Sequence, residues 1–307
     1  MRTIPIIILA GSDGRPSELP RGANVGKLLS GIKGADITID GAPLVCNVVQ
    51  RIYAARSFGP VYIAGPARVY RSICPDVELI DTNADFGTNI DRALRIIQAR
   101  HPGDPAAFIT CDILPEPETL DAMAENFRDA FPCDLWFPVV RVPEDPQQLG
   151  VSAWKPRYRL IPAPGQQVVE ILGGHLVIVQ PAALRIDFLR RLFRHVYATR
   201  NRNLAYRRTV VVSKMIGSLL AEDFRRLLSG RRPDVTWTTV RAGVSGASKL
   251  GRGRITIPQL ERMLADVLIQ RDRIRKMGRC VRVSLVDQLS LALDIDTEEE
   301  ALNWGSS

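Results

Sequence analysis

IPIIILAGSDGRPSELPRGANVGKLL, residues 4–29, sets the fold class. Its first six residues form a continuous apolar, largely β-branched run. That is the pattern of a strand buried on both faces of a parallel sheet, not the alternation of a half-exposed one. The run stops at Gly11 and passes into a stretch rich in Gly and Pro with no helical period. A buried strand that empties into such a loop brings backbone N–H groups to the C-terminal edge of the sheet, where phosphates are held. Leu9, Ala10, Gly11, Ser12 and Gly14 are therefore candidate nucleotide contacts. The loop matches neither GxGxxG nor GxxxxGK[ST], so on its own a plain surface loop is nearly as good a reading. Arg15, Lys27 and Lys33 add weight, because this segment is too rich in Gly and Pro to be a solvated helix face. Cations placed there are placed to meet phosphate oxygens.

Outward from this stretch the chain alternates. Residues 43–56 put Leu44, Val45, Val48, Val49 and Ile52 on one helical face behind a proline. Next come a strand at 61–64, a helix at 89–100, a strand at 106–111 and a helix at 116–130, and 135–140 reads as a further strand. Beyond it, 151–160 and 168–179 read as longer strands around a Pro/Gly turn, 235–240 as a strand, 257–270 as a helix and 281–285 as a strand. The expected architecture is α/β, a Rossmann-like mixed, mainly parallel sheet flanked by helices. It is expected to form a single domain over 1–307, with a nucleotide-binding half at 1–140 and an acceptor-binding half at 141–307.

The 307 residues are 46% hydrophobic and 24% charged, enough apolar side chain for a large core. No run approaches the roughly 18 to 20 apolar residues that span a bilayer, and the N-terminus lacks a signal cleavage pattern, so a cytoplasmic protein is expected. Five cysteines without a CxxC pair argue against a disulfide framework or a zinc site, and three dispersed histidines do not suggest a metal cluster or relay. The basic excess is local: residues 185–232 carry thirteen Lys and Arg against three acidic residues, leaving 28 against 30 elsewhere. Within that segment Phe188, Leu189, Leu192, Phe193 and Val196 form a helical stripe between arginines. A solvated basic helix, a seat for an anionic acceptor, and weak contact with an anionic membrane all remain open. Nucleic acid is not expected, since aromatic residues are sparse in the basic segment and the remainder is slightly acidic.

Two further signals are acidic. In ITCDIL, Asp112 ends an apolar strand on the ligand side of a parallel sheet, where Mg²⁺ finds a carboxylate, although a helix N-cap is an equal reading. In LALDIDT, Asp294 and Asp296 lie two apart on an extended segment and so share a face, where like charges need a cation or water between them. Asp85 to Asn89 lie ahead of a helix and read by themselves as a simple Asn-capped helix start.

In this order, LAG with a Gly/Arg loop, IDGAPLV opening a helix, a strand ending in CD, and ALDIDTEEEAL resemble the MobA-like nucleotidyltransferases, which share a GT-A-type fold. The resemblance is spread from Ile4 to Leu302 in short pieces. It implies a nucleotide-binding turn at Ala10, Gly11 and Ser12, the family arginine at Arg15, metal positions at Asp112 and Asp296, and a base- or pocket-lining loop at Phe86, Gly87 and Asn89. The family lysine falls on Lys33 by spacing, with Lys27 as the alternative. Ser12 replaces a family glycine, the stretch from Arg15 to Gly41 is longer than usual, and segment 185–232 lacks a counterpart in the shortest members. The implied activity is Mg²⁺-dependent transfer of a nucleotidyl group from an NTP to an anionic, phosphate- or hydroxyl-bearing small molecule, with release of pyrophosphate. Two other readings stay open: a non-catalytic nucleotide sensor, and a nucleotide-sugar glycosyltransferase. The latter predicts a mid-chain DxD where this chain has CDIL.

Overall fold

A computed structural model describes residues 2–12, 28–199 and 204–304. Arg15, Lys27 and Gly14 lie outside the described residues. The strands are β1 (Ile4–Leu9), β2 (Thr38–Ile39), β3 (Ala42–Pro43), β4 (Phe58–Gly65), β5 (Glu78–Asp81), β6 (Ala106–Thr110), β7 (Leu135–Arg141), β8 (Tyr158–Leu160), β9 (Val169–Gly173), β10 (Leu176–Val179) and β11 (Val281–Val286). The helices are α1 (Lys33–Asp36), α2 (Leu44–Ala54), α3 (Ala67–Ile73), α4 (Phe86–Arg100), α5 (Pro117–Asp129), α6 (Ile186–Ala198), α7 (Leu204–Leu228), α8 (Val235–Gly251), α9 (Ile257–Leu268), α10 (Arg271–Met277) and α11 (Glu298–Trp304).

β1 is a central strand, parallel to β4 on one side and β6 on the other, which is why its isoleucines need no polar alternation. The main sheet runs β5-β4-β1-β6-β10-β7-β9-β8, and β11 lies parallel to β7. β10 is antiparallel to β6 and β7, so one mixed, mainly parallel sheet joins the first half of the chain to the second. Isoleucines on alternate faces of β1 enter separate cores: Ile6 and Ile8 pack beneath α2 and α5, and Ile7 packs toward α4. Among the described residues, no helix is long and apolar enough to cross a membrane.

Three strand expectations are corrected. Residues 151–160 form 3₁₀ turns over Pro146–Trp154, and only Tyr158–Leu160 pairs in the sheet. Asp145 caps these turns by accepting from the Gln147 N–H at 2.9 Å, and Gly150 turns the chain at φ 48°, a conformation a strand does not hold. Residues 168–179 break into β9 and β10 at Gly174, where a Cβ would come 2.6 Å from the Pro138 carbonyl oxygen. The break lets His175 leave the ladder and donate its N–H to the Leu291 carbonyl at 2.8 Å. Residues 235–240 open α8 despite their β-branched content. The Asp223 carboxylate, brought up by α7, accepts from the N–H groups of Val235 and Thr236 at 2.8 and 2.9 Å. A cap supplied from elsewhere in the chain overrides local strand propensity.

The basic segment carries α6 and α7, and the first residues of its apolar stripe are covered by protein. Phe188 and Leu189 are buried; Phe188 packs with Met215, Leu219 and Val235, while Leu189 and Phe193 face the α4 side of the core. Leu192, Phe193 and Val196 stay partly exposed, so the buried end of the stripe is Phe188 and Leu189. Several arginines are neutralised in place: buried Arg185 donates to Glu222 at 2.8 Å and to Thr239 at 3.0 Å, and Arg226 and Arg231 both hold Asp272. α6 lies so close to α4 that a Cβ on Gly87 would meet the Arg190 carbonyl oxygen at 2.3 Å. Gly87→Ala is expected to destabilise the fold by roughly 1–3 kcal/mol, because backbone must shift to admit the methyl. Urea denaturation measures this, and an unchanged midpoint would contradict the close approach.

Candidate active site

β1 and β6 end side by side, and the residues just past each strand build one cleft of about 640 Å³. Leu9, Gly11 and Ser12 line it from the first strand; Thr110, Cys111 and Asp112 line it from the second. Phe86 and Asn89 contribute from α4, and Asp294 and Asp296 from the C-terminal segment. Lys33, at the start of α1, lines it too. Ala10 is fully buried behind this wall, its N–H bonded to the Ala64 carbonyl at 2.9 Å, and Gly87 faces α6. So the cleft gathers most of the candidates read from the sequence, with Ala10 and Gly87 shaping it from behind.

The C-terminal segment is stitched across the cleft by backbone. The Ile295 N–H donates to the Asp112 carbonyl at 2.8 Å, and the Leu29 N–H donates to the Asp296 carbonyl at 2.8 Å. These bonds set Asp294 and Asp296 beside Asp112, which is remote in sequence. The carboxylates are then held apart by ammonium groups. Lys33 Nζ reaches Asp112 Oδ2 at 3.4 Å and bonds Asp296 Oδ1 at closer range. Lys155 Nζ lies 2.6 Å from both the carbonyl and Oδ1 of Asp294, 3.2 Å from Asp296 Oδ2 and 3.4 Å from Glu300 Oε1. Glu300 in turn accepts from the N–H groups of Asp296 and Thr297 at 2.7 and 3.0 Å and from Ser152 Oγ at 2.6 Å.

The charges respond to this packing. Burial alone would lower Lys33, but Asp112 and Asp296 outweigh it and hold the ammonium above its ordinary value, and Lys155 is raised in the same way by Asp294, Asp296 and Glu300. Burial would raise Asp296, yet the two lysines bring it down to about 2. Asp294 goes the other way, pushed up by burial and by the neighbouring Asp112 and Asp296 carboxylates. Burial pushes the Cys111 thiol up to about 12, so it stays protonated and offers no nucleophile at neutral pH.

A divalent cation fits this arrangement. Among the described residues, Asp112 Oδ1 is buried without a hydrogen-bond partner, an expensive state for an anionic oxygen. Oxygen atoms of Asp112 and Asp294 and a ring nitrogen of His175 all lie within 4.8 Å of one another. The second carboxylate of this trio is Asp294, which Lys155 also bonds, while Asp296 is held by both lysines. His175 also corrects the expectation that the histidines stand apart from any metal cluster.

On the far side of the cleft the pocket loop is held by its own hydrogen bonds. The Asn89 side chain clamps the Ala84 backbone, donating to its carbonyl and accepting from its N–H, both at 3.1 Å. The helix cap is Asp85 and not Asn89, since Asp85 accepts from the Thr88 N–H at 3.1 Å. Phe86 stacks near-parallel on Tyr197 at 5.9 Å and meets Phe193 edge-on at 5.6 Å, giving an aromatic wall shared with the basic helix. Arg194 of that helix lines the same cleft and pairs with Asp85 at 3.5 Å.

No protein-family model matches the chain, and no curated protein does. Solved structures do. A hypothetical transferase from Thermus thermophilus is 18% identical over 98% of this chain and 100% of its own, with a TM-score of 0.57. A CMP:2-keto-3-deoxy-manno-octonic acid synthetase, complexed with CTP, is 13% identical over 99% of this chain and 98% of its own, with a TM-score of 0.50. The chain shares the mixed, mainly parallel α/β fold of these proteins.

Sequence reading missed three parts of the site: Lys155, Glu300 and His175. Lys155 lies in a segment that reads as a strand and Glu300 in a run of three glutamates, so neither stands out. His175 carries a usable signal, the Gly173-Gly174 pair that breaks a strand just before it.

Asp296 provides a pH test. Its folded value lies below the ordinary 3.8, so its stabilisation is full above about pH 4 and is lost as pH falls toward 2. Asp296→Asn is expected to cost on the order of 2 kcal/mol at neutral pH, with the gap from the parent protein closing between about pH 4 and 2. Urea titrations across that range measure it; a gap constant with pH would contradict the ion-pair assignment.

Proposed function

We propose that this protein is a divalent-cation-dependent nucleotidyltransferase. An oxygen of a small anionic acceptor attacks the α-phosphorus of an NTP, forming one P–O bond as the bond to the β-phosphate bridging oxygen breaks, and pyrophosphate leaves with that electron pair. The observation that carries this reading is the buried, unpartnered Oδ1 of Asp112, a residue past the end of β6 that lines a cleft the end of β1 also lines. Such a position at the C-terminal edge of a parallel sheet is where nucleotide phosphates and their cation are received. The order of the motifs in the sequence, similar to that of MobA-like enzymes, favours this chemistry within a fold that serves several activities.

Asp112 and Asp294 would hold the cation, with Mg²⁺ the ion expected from the sequence; bound there, it would supply charge neutralisation for phosphate oxygens. The remaining work falls to the chain itself. Lys33 keeps Asp112 and Asp296 in place and presents a permanent positive charge to the cleft, and Arg15 is the proposed cation for the pyrophosphate. Gly11 and Ser12 lie past the end of β1, where their N–H groups suit a phosphate or ribose oxygen. Phe86 and Tyr197 offer an apolar wall to a base. Transfer of this kind depends on positioning and electrostatics, which accords with a cleft whose thiol is protonated. Arg194 of α6, which lines the cleft, provides positive charge for an anionic acceptor.

Release of pyrophosphate from each of the four NTPs, with Mg²⁺ or Mn²⁺ and a panel of sugar phosphates, polyol phosphates and phosphorylated cofactor precursors, tests the proposal. Asp112→Asn is expected to retain the fold and to lower turnover by at least about a hundredfold. Near-normal turnover of that variant would overturn the role given to Asp112. Nucleotide binding by the parent protein without pyrophosphate release across the panel would favour the non-catalytic sensor.

A further inference from the structure

The cation site carries a feature that carboxylates alone would not. Asp112, Asp294, Asp296 and Glu300 bring four formal negative charges, and Lys33 and Lys155 return two, leaving a deficit equal to one divalent ion. Lys155 already fills the oxygen cage made by Asp294, Asp296 and Glu300, so a second ion there would have to displace an ammonium group. The remaining position lies among Asp112, Asp294 and His175, which each bring a ligand atom within 4.8 Å of the others. There the imidazole Nε2 stands 3.8 Å from Asp294 Oδ1, the oxygen that Lys155 also holds at 2.6 Å, a separation too long for a good hydrogen bond and suited to two donors about one ion. The other ring nitrogen, Nδ1, lies 3.3 Å from Thr110 Oγ1. With Nδ1–H donating to that hydroxyl, Nε2 retains its lone pair toward the carboxylates, the arrangement that orients a metal-binding histidine.

We infer that His175 is the third protein donor of a one-cation site, and that its nitrogen makes the site select a first-row transition ion such as Mn²⁺ over Mg²⁺. Mg²⁺ prefers an all-oxygen shell with several retained waters, and replacing one oxygen by imidazole costs it more than it costs a softer ion. The backbone break at Gly174 is what allows this donor: the His175 N–H is tied to Leu291 and its carbonyl accepts from the Thr110 N–H at 3.3 Å, fixing the residue between the two metal-facing segments.

The inference rests on the proposed transferase site but is tested without nucleotide or acceptor. Mn²⁺ is titrated into the full chain and followed by electron paramagnetic resonance, with Mg²⁺ as competitor. The expected result is one Mn²⁺ per chain, bound at least about tenfold more tightly than Mg²⁺, with ¹⁴N modulation in the pulsed spectrum of the bound ion. His175→Ala should abolish the modulation and weaken Mn²⁺ by about tenfold or more while changing Mg²⁺ much less. His175→Asn, which supplies an amide oxygen in a similar space, should hold Mg²⁺ without restoring the nitrogen signal, and circular dichroism checks that both variants fold. Absence of Mn²⁺ binding, bound Mn²⁺ without nitrogen coupling, or coupling that survives in His175→Ala overturns the inference. If pyrophosphate release stands while the nitrogen signal is missing, only the role of His175 fails. If the signal stands while no NTP is turned over, the transferase reading fails instead.

Discussion

The ammonium group of Lys33 joins three parts of the chain that the sequence keeps far apart. It lies just past the loop after β1, and it holds Asp112 from the end of β6 and Asp296 from the C-terminal segment, 79 and 263 residues away. Three neighbouring carboxylates with little access to water would repel one another strongly, since a low local dielectric amplifies like charge as much as it amplifies attraction. Lys33 and Lys155 together convert that repulsion into a lattice. Each lysine is raised and Asp296 is lowered, so the ions stay charged across the neutral range and the segment that carries them stays seated. Asp294, although bonded to Lys155, is pushed up by burial and by the neighbouring Asp112 and Asp296 carboxylates.

The sheet exists in a form that serves this lattice. β1 needs full burial to sit between β4 and β6, and its end must release the chain at once, which Gly11 permits: a Cβ there would press on the Asn89 side chain at 3.1 Å. Antiparallel β10 then brings His175 to the same edge from the second half of the chain. The basic helix α6 closes the side of the cleft through Phe193, Tyr197 and Arg194. Arg194 thus lines a pocket while Phe188 and Leu189 are buried in protein, and one helix serves both stability and charge placement.

Elements whose pattern is local were legible in the sequence. The isoleucine run of β1, the amphipathic spacing of α2 and the Pro-led start of α5 needed no information from elsewhere, and Asp112 was found because a carboxylate at the end of a buried strand is conspicuous. The pairing of Asp294 and Asp296 on one face followed from their spacing, and both line the cleft. What failed depended on distant partners. VTWTTV reads as a strand until Asp223 caps it from another helix, and Lys155 is one residue of a stretch that reads as a strand until three carboxylates surround it. How Asp294 and Asp296 divide their contacts between Lys33 and Lys155 was likewise undecidable from spacing, because both lysines arrive from distant parts of the chain.

If the cleft at the ends of β1 and β6 receives an NTP together with one divalent cation, nucleotide and cation must bind as a pair. Calorimetric titration with a non-hydrolysable analogue of each NTP, with and without that cation, measures this directly. At least one nucleotide is expected to bind, with an affinity that falls sharply when the cation is withheld, because the phosphates then face Asp112 and Asp294 unshielded. Affinity independent of the cation, or no binding by any of the four, would contradict the assignment of the cleft.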